Sequence, residues 1–309
     1  MYEHQTTFAA RPVVDFGENG PADQPTDAMV AWRVSTWDGG DAKDEVSPAF
    51  RAEFEQFLDT VPPASVEALV IGSWGFAAFN FAPIELLCAA AGKLTGLKAL
   101  YLGDITSEES EISWIKQGDV GALLGAYPGL EVLRVRGTDG LVLEPLAHPS
   151  LRHLAFETGG LPSYVVQAIG ESDLPALEHL ELWLGVENYG GTVTVEELAP
   201  VLSGSRWPSL RYLGLRNAEI ADPVAATLAS APVVARLDTL DLSLGMLSDA
   251  GAEALLAGQP LTHLRKLDLH HHFLTRAMQD RLTGELPGIV DVSDWQDDAR
   301  WGRYTAVSE

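Results

Sequence analysis

LRKLDLHHH, residues 264–272, sets leucines at its first, fourth and sixth places and then runs into three consecutive histidines. The histidines invite a metal reading, and the leucines decide whether it holds, because they recur. LxxLxL returns as LKALYL from Leu97, LEVLRV from Leu130, LRHLAF from Leu151, LEHLEL from Leu177, LRYLGL from Leu210 and LDTLDL from Leu237, with VEALVI from Val66 as a valine-led copy. Successive starts lie 31, 33, 21, 26, 33, 27 and 27 residues apart, spacings that mark a repeat architecture. In each copy the fourth and sixth positions are apolar while the fifth varies, the alternation of a strand with one buried face.

Helix signals follow most of these strands. SPAFRAEFEQFLDT has Ser47 as N-cap and Pro48 at the first helical position, and DPVAATLASA offers Asp222 and Pro223 in the same roles. TVEELAPVL pairs Thr194 with Glu197 as a capping box. SDAGAEALLAG runs from Ser248 to a stop at Gly258, and TRAMQDRLTG from Thr275 to Gly284. The unit from Leu130 differs: LVLEPLAHPS stands where a helix would go, and Pro145 and Pro149 favour an extended connection.

One strand and one short helix cannot bury their apolar sides alone, so neighbouring units must stack on a shared core. The units resemble leucine-rich repeats of the long, helix-bearing, ribonuclease-inhibitor-like type over about residues 66–275. That resemblance implies an α/β solenoid, a horseshoe with parallel strands on the concave face and mostly helices on the convex face. Residues 1–65 are then an N-terminal cap and atypical first repeat, 66–285 the repeats, and 286–309 a C-terminal cap, in one continuous domain. In the caps, DAMVAWRVSTW supplies a strand through Val30, Trp32 and Val34, and a strand is expected around Val290–Val292. Trp295, Trp301 and Tyr304 are expected to pack in the C-terminal cap. The chain departs from the family at the ninth position, where an Asn or Cys usually bonds turn carbonyls. Here that place holds Ile105, Thr138, Gly159, Gly185, Ala218, Gly245 and His272, with Asn217 one residue early. Remodelled turns, tight glycine turns or water must then satisfy those carbonyls.

Composition narrows function. With 44 acidic against 20 basic residues the formal charge is −24, which disfavours nucleic acid as a partner. The single cysteine, Cys88, sits in the apolar PIELLCAAAG and excludes a disulfide framework or a CxxC metal knuckle. MYEHQTTFAARPVVDF has neither a basic start nor an unbroken apolar run, and no stretch reaches the length of a membrane span, so a soluble cytoplasmic protein is expected. GxSxG, GxxxxGK[ST], HExxH and a strand-following GxGxxG are all missing. No catalytic residue and no cofactor is assigned.

Positions five and seven should stand side by side on the concave face. They place Tyr101, Arg134, Arg136, Glu157, Glu181, Trp183, Arg216, Asp241, Asp268 and His270 there, with Tyr212 at a neighbouring third position. Read plainly, these are cross-strand ion pairs, each contributing about 0–1 kcal/mol. Read as a surface, the aromatic and arginine side chains form a site for a protein or peptide partner with a basic region. Two rivals stand beside that one: a metal-dependent protein or enzyme built on Asp241, Asp268, His270 and Glu181, and a structural subunit meeting partners through its convex helices. The three histidines should diverge, His270 on the concave face, His271 on an exposed shoulder and His272 turned inward as a turn hydrogen-bonder. DITSEESEISWIKQGD, residues 104–119, reads as an acidic insertion anchored by Trp114.

Overall fold

The computed structural model describes residues 3–17, 29–38, 45–300 and 302–308. These described residues fall into two compact units, those up to residue 144 with 148–154, and those of 145–147 with 155–308.

The first unit opens with an antiparallel hairpin, β1 (Thr7–Phe8) and β2 (Arg11–Asp15), turned through Ala9 and Ala10 in left-handed backbone. Parallel rungs follow: β3 (Ala31–Thr36), α1 (Pro48–Thr60), β4 (Ala68–Trp74), α2 (Ile84–Ala89), β5 (Ala99–Leu102), α3 (Gly121–Ala126) and β6 (Val132–Arg136). Leu69, Leu100 and Leu133 align across β4, β5 and β6, so the fourth position of each repeat is one buried column. Ser47 accepts the Phe50 N–H at the start of α1, whose Phe50, Phe54 and Phe57 are buried at helical spacing. As the prolines imply, no helix forms between residues 137 and 152.

β7 (His153–Glu157) lies at the division. The second unit continues with α4 (Ser163–Glu171), β8 (His179–Gly185), α5 (Ala199–Ser203), β9 (Tyr212–Ala218), α6 (Ala221–Leu228), β10 (Thr239–Asp241), α7 (Asp249–Ala257), β11 (Lys266–Asp268), α8 (Arg276–Glu285) and β12 (Val290–Asp291). Every pairing among β8–β12 is parallel, and Leu180, Leu213, Leu240 and Leu267 form the second buried column. These are leucine-rich-repeat rungs. No helix of the described residues is long and apolar enough to cross a membrane.

Three local expectations change. Asp222 does not cap its own helix. It lies inside α6 and accepts from the Ser248 N–H (2.8 Å), the Ser248 hydroxyl (2.6 Å) and the Gly251 N–H (3.2 Å), so it supports the start of α7 one rung on. Asp249 repeats the arrangement, accepting from the Thr275 N–H (2.8 Å) and hydroxyl (2.7 Å) before α8. The Thr194–Glu197 box is made only in part: Glu197 accepts from the Thr194 N–H at 2.8 Å, but α5 begins later, at Ala199. In the acidic insertion the anchors are the buried Ile105, Ile112 and Ile115, while Trp114 is exposed.

The turns solve the missing asparagine ladder in two ways. At Gly159 and Gly185 the adjacent turns come close enough to pair directly, Val186 N–H to Gly159 O at 2.8 Å and Leu161 N–H to Leu184 O at 2.9 Å. Further along, residues 303–307 run back across the eighth positions His271, Leu244 and Asn217 as a strap. Tyr304 packs edge-on against His271 and Phe273 in that strap. Trp295, expected to pack in the cap, is exposed, and Trp301 lies outside the described residues.

Candidate functional site on the open face of the strands

In the first unit the face expected to be open is closed. Phe8 of the hairpin lies on Tyr101 (ring centroids 5.8 Å apart), over Ala68, Val70 and Ala99, the small and apolar third and fifth positions of β4 and β5. Tyr101 is therefore fully buried rather than displayed. The hairpin is held by charge as well. Arg33 binds Asp15 (2.5 and 2.6 Å) and Asp104 (3.0 Å), and the Gln5 N–H donates to both Asp104 oxygens at 3.2 Å. Burial pushes the Asp104 carboxyl up, but the bonds from His4, Gln5 and Arg33 outweigh it and leave it below its ordinary value. Beyond Tyr101, the guanidiniums of Arg134 and Arg136 sit 4.8 and 5.6 Å from its ring centre. Arg136 is buried and donates to Ile105 O at 2.9 Å, while Arg134 stays half-buried.

In the second unit Glu157 is fully buried at the end of β7. Glu181, Trp183, Tyr212, Arg216 and Asp241 are brought together on β8, β9 and β10, where in-register pairing aligns the fifth positions Glu181 and Asp241 on either side of Gly214. The Glu181 carboxylate accepts from Trp183 Nε1 and Arg216 Nη1, both at 2.7 Å. Asp241 accepts from the Tyr212 hydroxyl at 2.7 Å and lies 3.3 Å from Arg216 Nε. The Arg216 guanidinium covers the Trp183 ring at 5.3 Å, and His179 stacks flat on Tyr212 at 3.7 Å. Burial works against the Arg216 charge, but Glu181 and Asp241 outweigh it and raise its pKa. Burial, then the same two carboxylates, drive the Tyr212 phenol up, so it remains a donor. Trp183, Glu181 and Asp241 are thus largely buried in one network joined through Tyr212 and Arg216, and its partly exposed members are His179, Tyr212 and Arg216.

Asp268 and His270 form a second cluster. Asp268 accepts from Lys266 Nζ at 2.6 Å, and its other oxygen lies 2.7 Å from His270 Nδ1. Lys266 also reaches Asp291 at 3.4 Å. Burial raises the Asp268 carboxyl, but His270 and Lys266 reverse the sign and hold it far below the usual carboxylate range. One ligand atom from each of Asp268, His270 and Asp291 lies within 4.8 Å of the others, the spacing a cation needs. The fit fails on charge: the Lys266 ammonium already stands between the two carboxylates, and Asp241 is committed to Tyr212 and Arg216. The counter-cations an acidic pair demands come from the chain itself.

The three histidines do diverge, with one correction. His271 is buried, not an exposed shoulder, because Tyr304 and Phe273 close over it. His272 is the turn-bonder: its Nδ1 accepts the Leu274 N–H at 3.1 Å, which leaves Nε2 to donate to Val292 O at 2.9 Å. Burial lowers the His272 pKa, whereas the Asp268 hydrogen bond raises that of His270. A histidine NMR titration should place His270 above and His272 below the ordinary 6.5. The raised value stabilises the fold fully below that ordinary value and fades as pH rises through the folded one; the lowered value removes stability as pH falls below the ordinary one. His270→Gln should therefore lower the melting temperature more at about pH 5.5 than at about pH 8. An equal loss at both would show that the Asp268–His270 bond is not made.

The third positions His179 and Lys266, and Asp291 of β12, belong to these clusters although their sequence context does not single them out. Period-2 alternation puts residues three, five and seven on one face, and that signal, applied to the third position throughout, finds His179 and Lys266.

No family model matches the chain, and no curated protein matches it. Among solved structures, a Bacteroides fragilis protein determined as a structural-genomics target is 32% identical, with a TM-score of 0.76, over 82% of this chain and 72% of that one. Listeria monocytogenes InlP is 15% identical with a TM-score of 0.40, over 86% of this chain and 61% of that one. An internalin (inlF) from Listeria monocytogenes is 17% identical with a TM-score of 0.32, over 76% of this chain and 82% of that one. At those two scores the likeness adds nothing to the fold.

Proposed function

The chain belongs to the leucine-rich-repeat superfamily and to one family with the Bacteroides fragilis protein, and from that premise we propose a non-enzymatic interaction module for a protein or peptide partner. The partner lies on the strand face of the second unit and brings a basic region. One observation carries this reading: Tyr212 and Arg216 are held by Glu181 and Asp241 with part of each side chain still open to solvent. A tyrosine and an arginine fixed before contact lose little conformational freedom on binding, which is how such residues come to dominate interface energies. The charge points the same way. Glu181, Asp241, Asp268 and Asp291 gather along this face with Arg216 and Lys266 among their partners, in a chain at −24. A cytoplasmic setting suits the single Cys88.

The test is capture from an extract of the source cells, identification of the partner, and titration with purified partner. Tyr212→Ala and His179→Ala should weaken binding by about tenfold or more with the fold intact by circular dichroism. Arg281→Glu, on the exposed side of α8, should leave binding unchanged. Weakening by Arg281→Glu alone would transfer the interaction to the helix side.

A further inference from the structure

Residues 74–82, WGFAAFNFA, link β4 to α2 in the first unit. Connections of this kind are usually built from small polar residues, because the backbone must stay near water. This one is built from aromatics and is tied down. Trp74 is buried and donates from Nε1 to Asn80 O at 3.1 Å. Asn80 is buried too: its Oδ1 accepts the Phe76 N–H at 3.0 Å, and its Nδ2 donates to Glu45 O at 3.3 Å. The N–H groups of Phe79 and Asn80 both reach Phe76 O at 2.8 Å, Gly75 N–H reaches Thr36 O at 2.9 Å, and Lys116 N–H reaches Ala77 O at 2.9 Å.

What this fixed loop holds outward is apolar. Phe76, Phe79 and Phe81 are 44%, 48% and 39% exposed, and Trp37 beside them is 59% exposed. Three of the rings touch: Phe76 stacks on Phe79 at 5.1 Å and meets Trp37 edge-on at 6.4 Å; at the end of the same loop Lys116 Nζ lies 5.1 Å over Phe81. Folding gains nothing from keeping four aromatics of one neighbourhood in water, and such patches mark contact surfaces. A loop already fixed by hydrogen bonds loses little entropy on binding. Beside it lies a cleft of about 850 Å3, whose lining includes Glu45, Phe81, Ile84, Glu85 and Asp119, with Arg51 as its cation. The Cys88 thiol at the same cleft is raised by burial and then by Asp119 and Glu85, in keeping with a negative local field.

We propose that the Trp37–Phe76–Phe79–Phe81 patch and the acidic cleft beside it form a second docking surface, for a partner segment that carries apolar or aromatic anchors next to Lys or Arg. The aromatic patch receives the anchors, and Glu45, Glu85 and Asp119 receive the cations. A second copy of this chain is the less suitable occupant, because two bodies at −24 repel.

The test uses the full-length protein and short synthetic peptides in which Leu, Phe or Trp alternate with Lys or Arg, read by fluorescence anisotropy. Two matched sets serve as controls, one with the cations changed to Glu and one with the apolar residues changed to Ser. The mixed peptides should bind, and both control sets should be weaker by about tenfold or more. The double variant Phe76→Ser/Phe79→Ser keeps the full charge and should lose about tenfold in affinity, while Tyr164→Ser, at an exposed aromatic of α4, should not change it. Its melting temperature should match the parent because both rings are exposed; Trp37→Ser provides the same comparison if it does not. Absence of binding, equal binding to the double variant, or sedimentation as a dimer that the double variant dissolves would each overturn the proposal.

Discussion

Alanine at Gly185 should cost the chain more than about 3 kcal/mol, a large part of the roughly 5–15 kcal/mol that ordinarily holds a domain folded. Gly185 has φ +69°, where an L-residue costs about 1–2 kcal/mol. A β-carbon there would stand 2.0 Å from Gly159 O and 2.4 Å from Gly160 N, so the neighbouring turn must move as a backbone, not as a flexible side chain. Moving it breaks the two bonds that join the turns, Val186 N–H to Gly159 O and Leu161 N–H to Leu184 O, each contributing about 1 kcal/mol. Gly284 is the control. It lies within α8 with nothing inside 4 Å of an added β-carbon, and Gly284→Ala should stabilise by about 0.5–1 kcal/mol. Urea denaturation of both variants separates a general glycine effect from this close approach. If Gly185→Ala unfolds with the parent midpoint, the turns are not paired as described.

How far the sequence was legible depends on the distance over which each contact acts. The Leu180–Leu213–Leu240–Leu267 column follows from a local alternation that each rung carries by itself, so strand positions and register could be read in advance. The helix starts at Ser47, Ser248 and Thr275 were legible for the same reason. Alternation also says which side a residue faces, but not what lies over it. Tyr101 faces as expected and is nevertheless buried, because Phe8, far away in sequence, covers it. The hairpin carrying Phe8 turns through two alanines and lacks the Asn-Gly or Asp-Gly signal that would have announced it. Glu181 and Asp241 are likewise on the expected face, but the Arg216 guanidinium that ties them together does so only once β8, β9 and β10 are side by side. Asp222 shows the limit at a helix end: its residue type signals a cap, and only the stacked rungs reveal that the cap belongs to the next helix.

Ending the chain at Arg300 should lower stability by about 3–5 kcal/mol, because the strap fills vacancies that the repeat leaves at its eighth position. Asn217, Leu244 and His271 all have left-handed backbone there, with φ of +52°, +67° and +58°. In that conformation the turn offers side chains and carbonyls outward, and the strap meets each in turn. Ala306 N–H donates to Leu244 O at 2.9 Å, and Arg303 Nη1 donates to Met246 O at 2.9 Å and Asp222 at 2.8 Å. Val307 is gripped from both sides: its N–H donates to Asn217 Oδ1 at 3.0 Å, and its carbonyl accepts from Asn217 Nδ2 at 2.5 Å. Without the strap the fully buried Asn217 amide keeps one long bond, to Thr158 O at 3.3 Å, and its oxygen loses the Val307 N–H. Each bond lost with the strap contributes about 0.5–1.5 kcal/mol, even though water reaches the uncovered groups. Asn217→Ala in the truncated chain should therefore destabilise far less than in the full chain, since the groups that amide serves are already gone. Tyr304→Ala, which removes the ring over His271 and Phe273 and the hydroxyl that donates to Gln296 but keeps the strap's backbone bonds, should cost less than half as much as the truncation. Hydrogen exchange gives the local readout: the Asn217 and Leu244 amides, bonded to Ser243 O and His270 O, should exchange faster after truncation, while those of α1 do not change. Exchange that rises uniformly through both units, or not at all, would mean that residues 303–307 do not close the eighth-position turns.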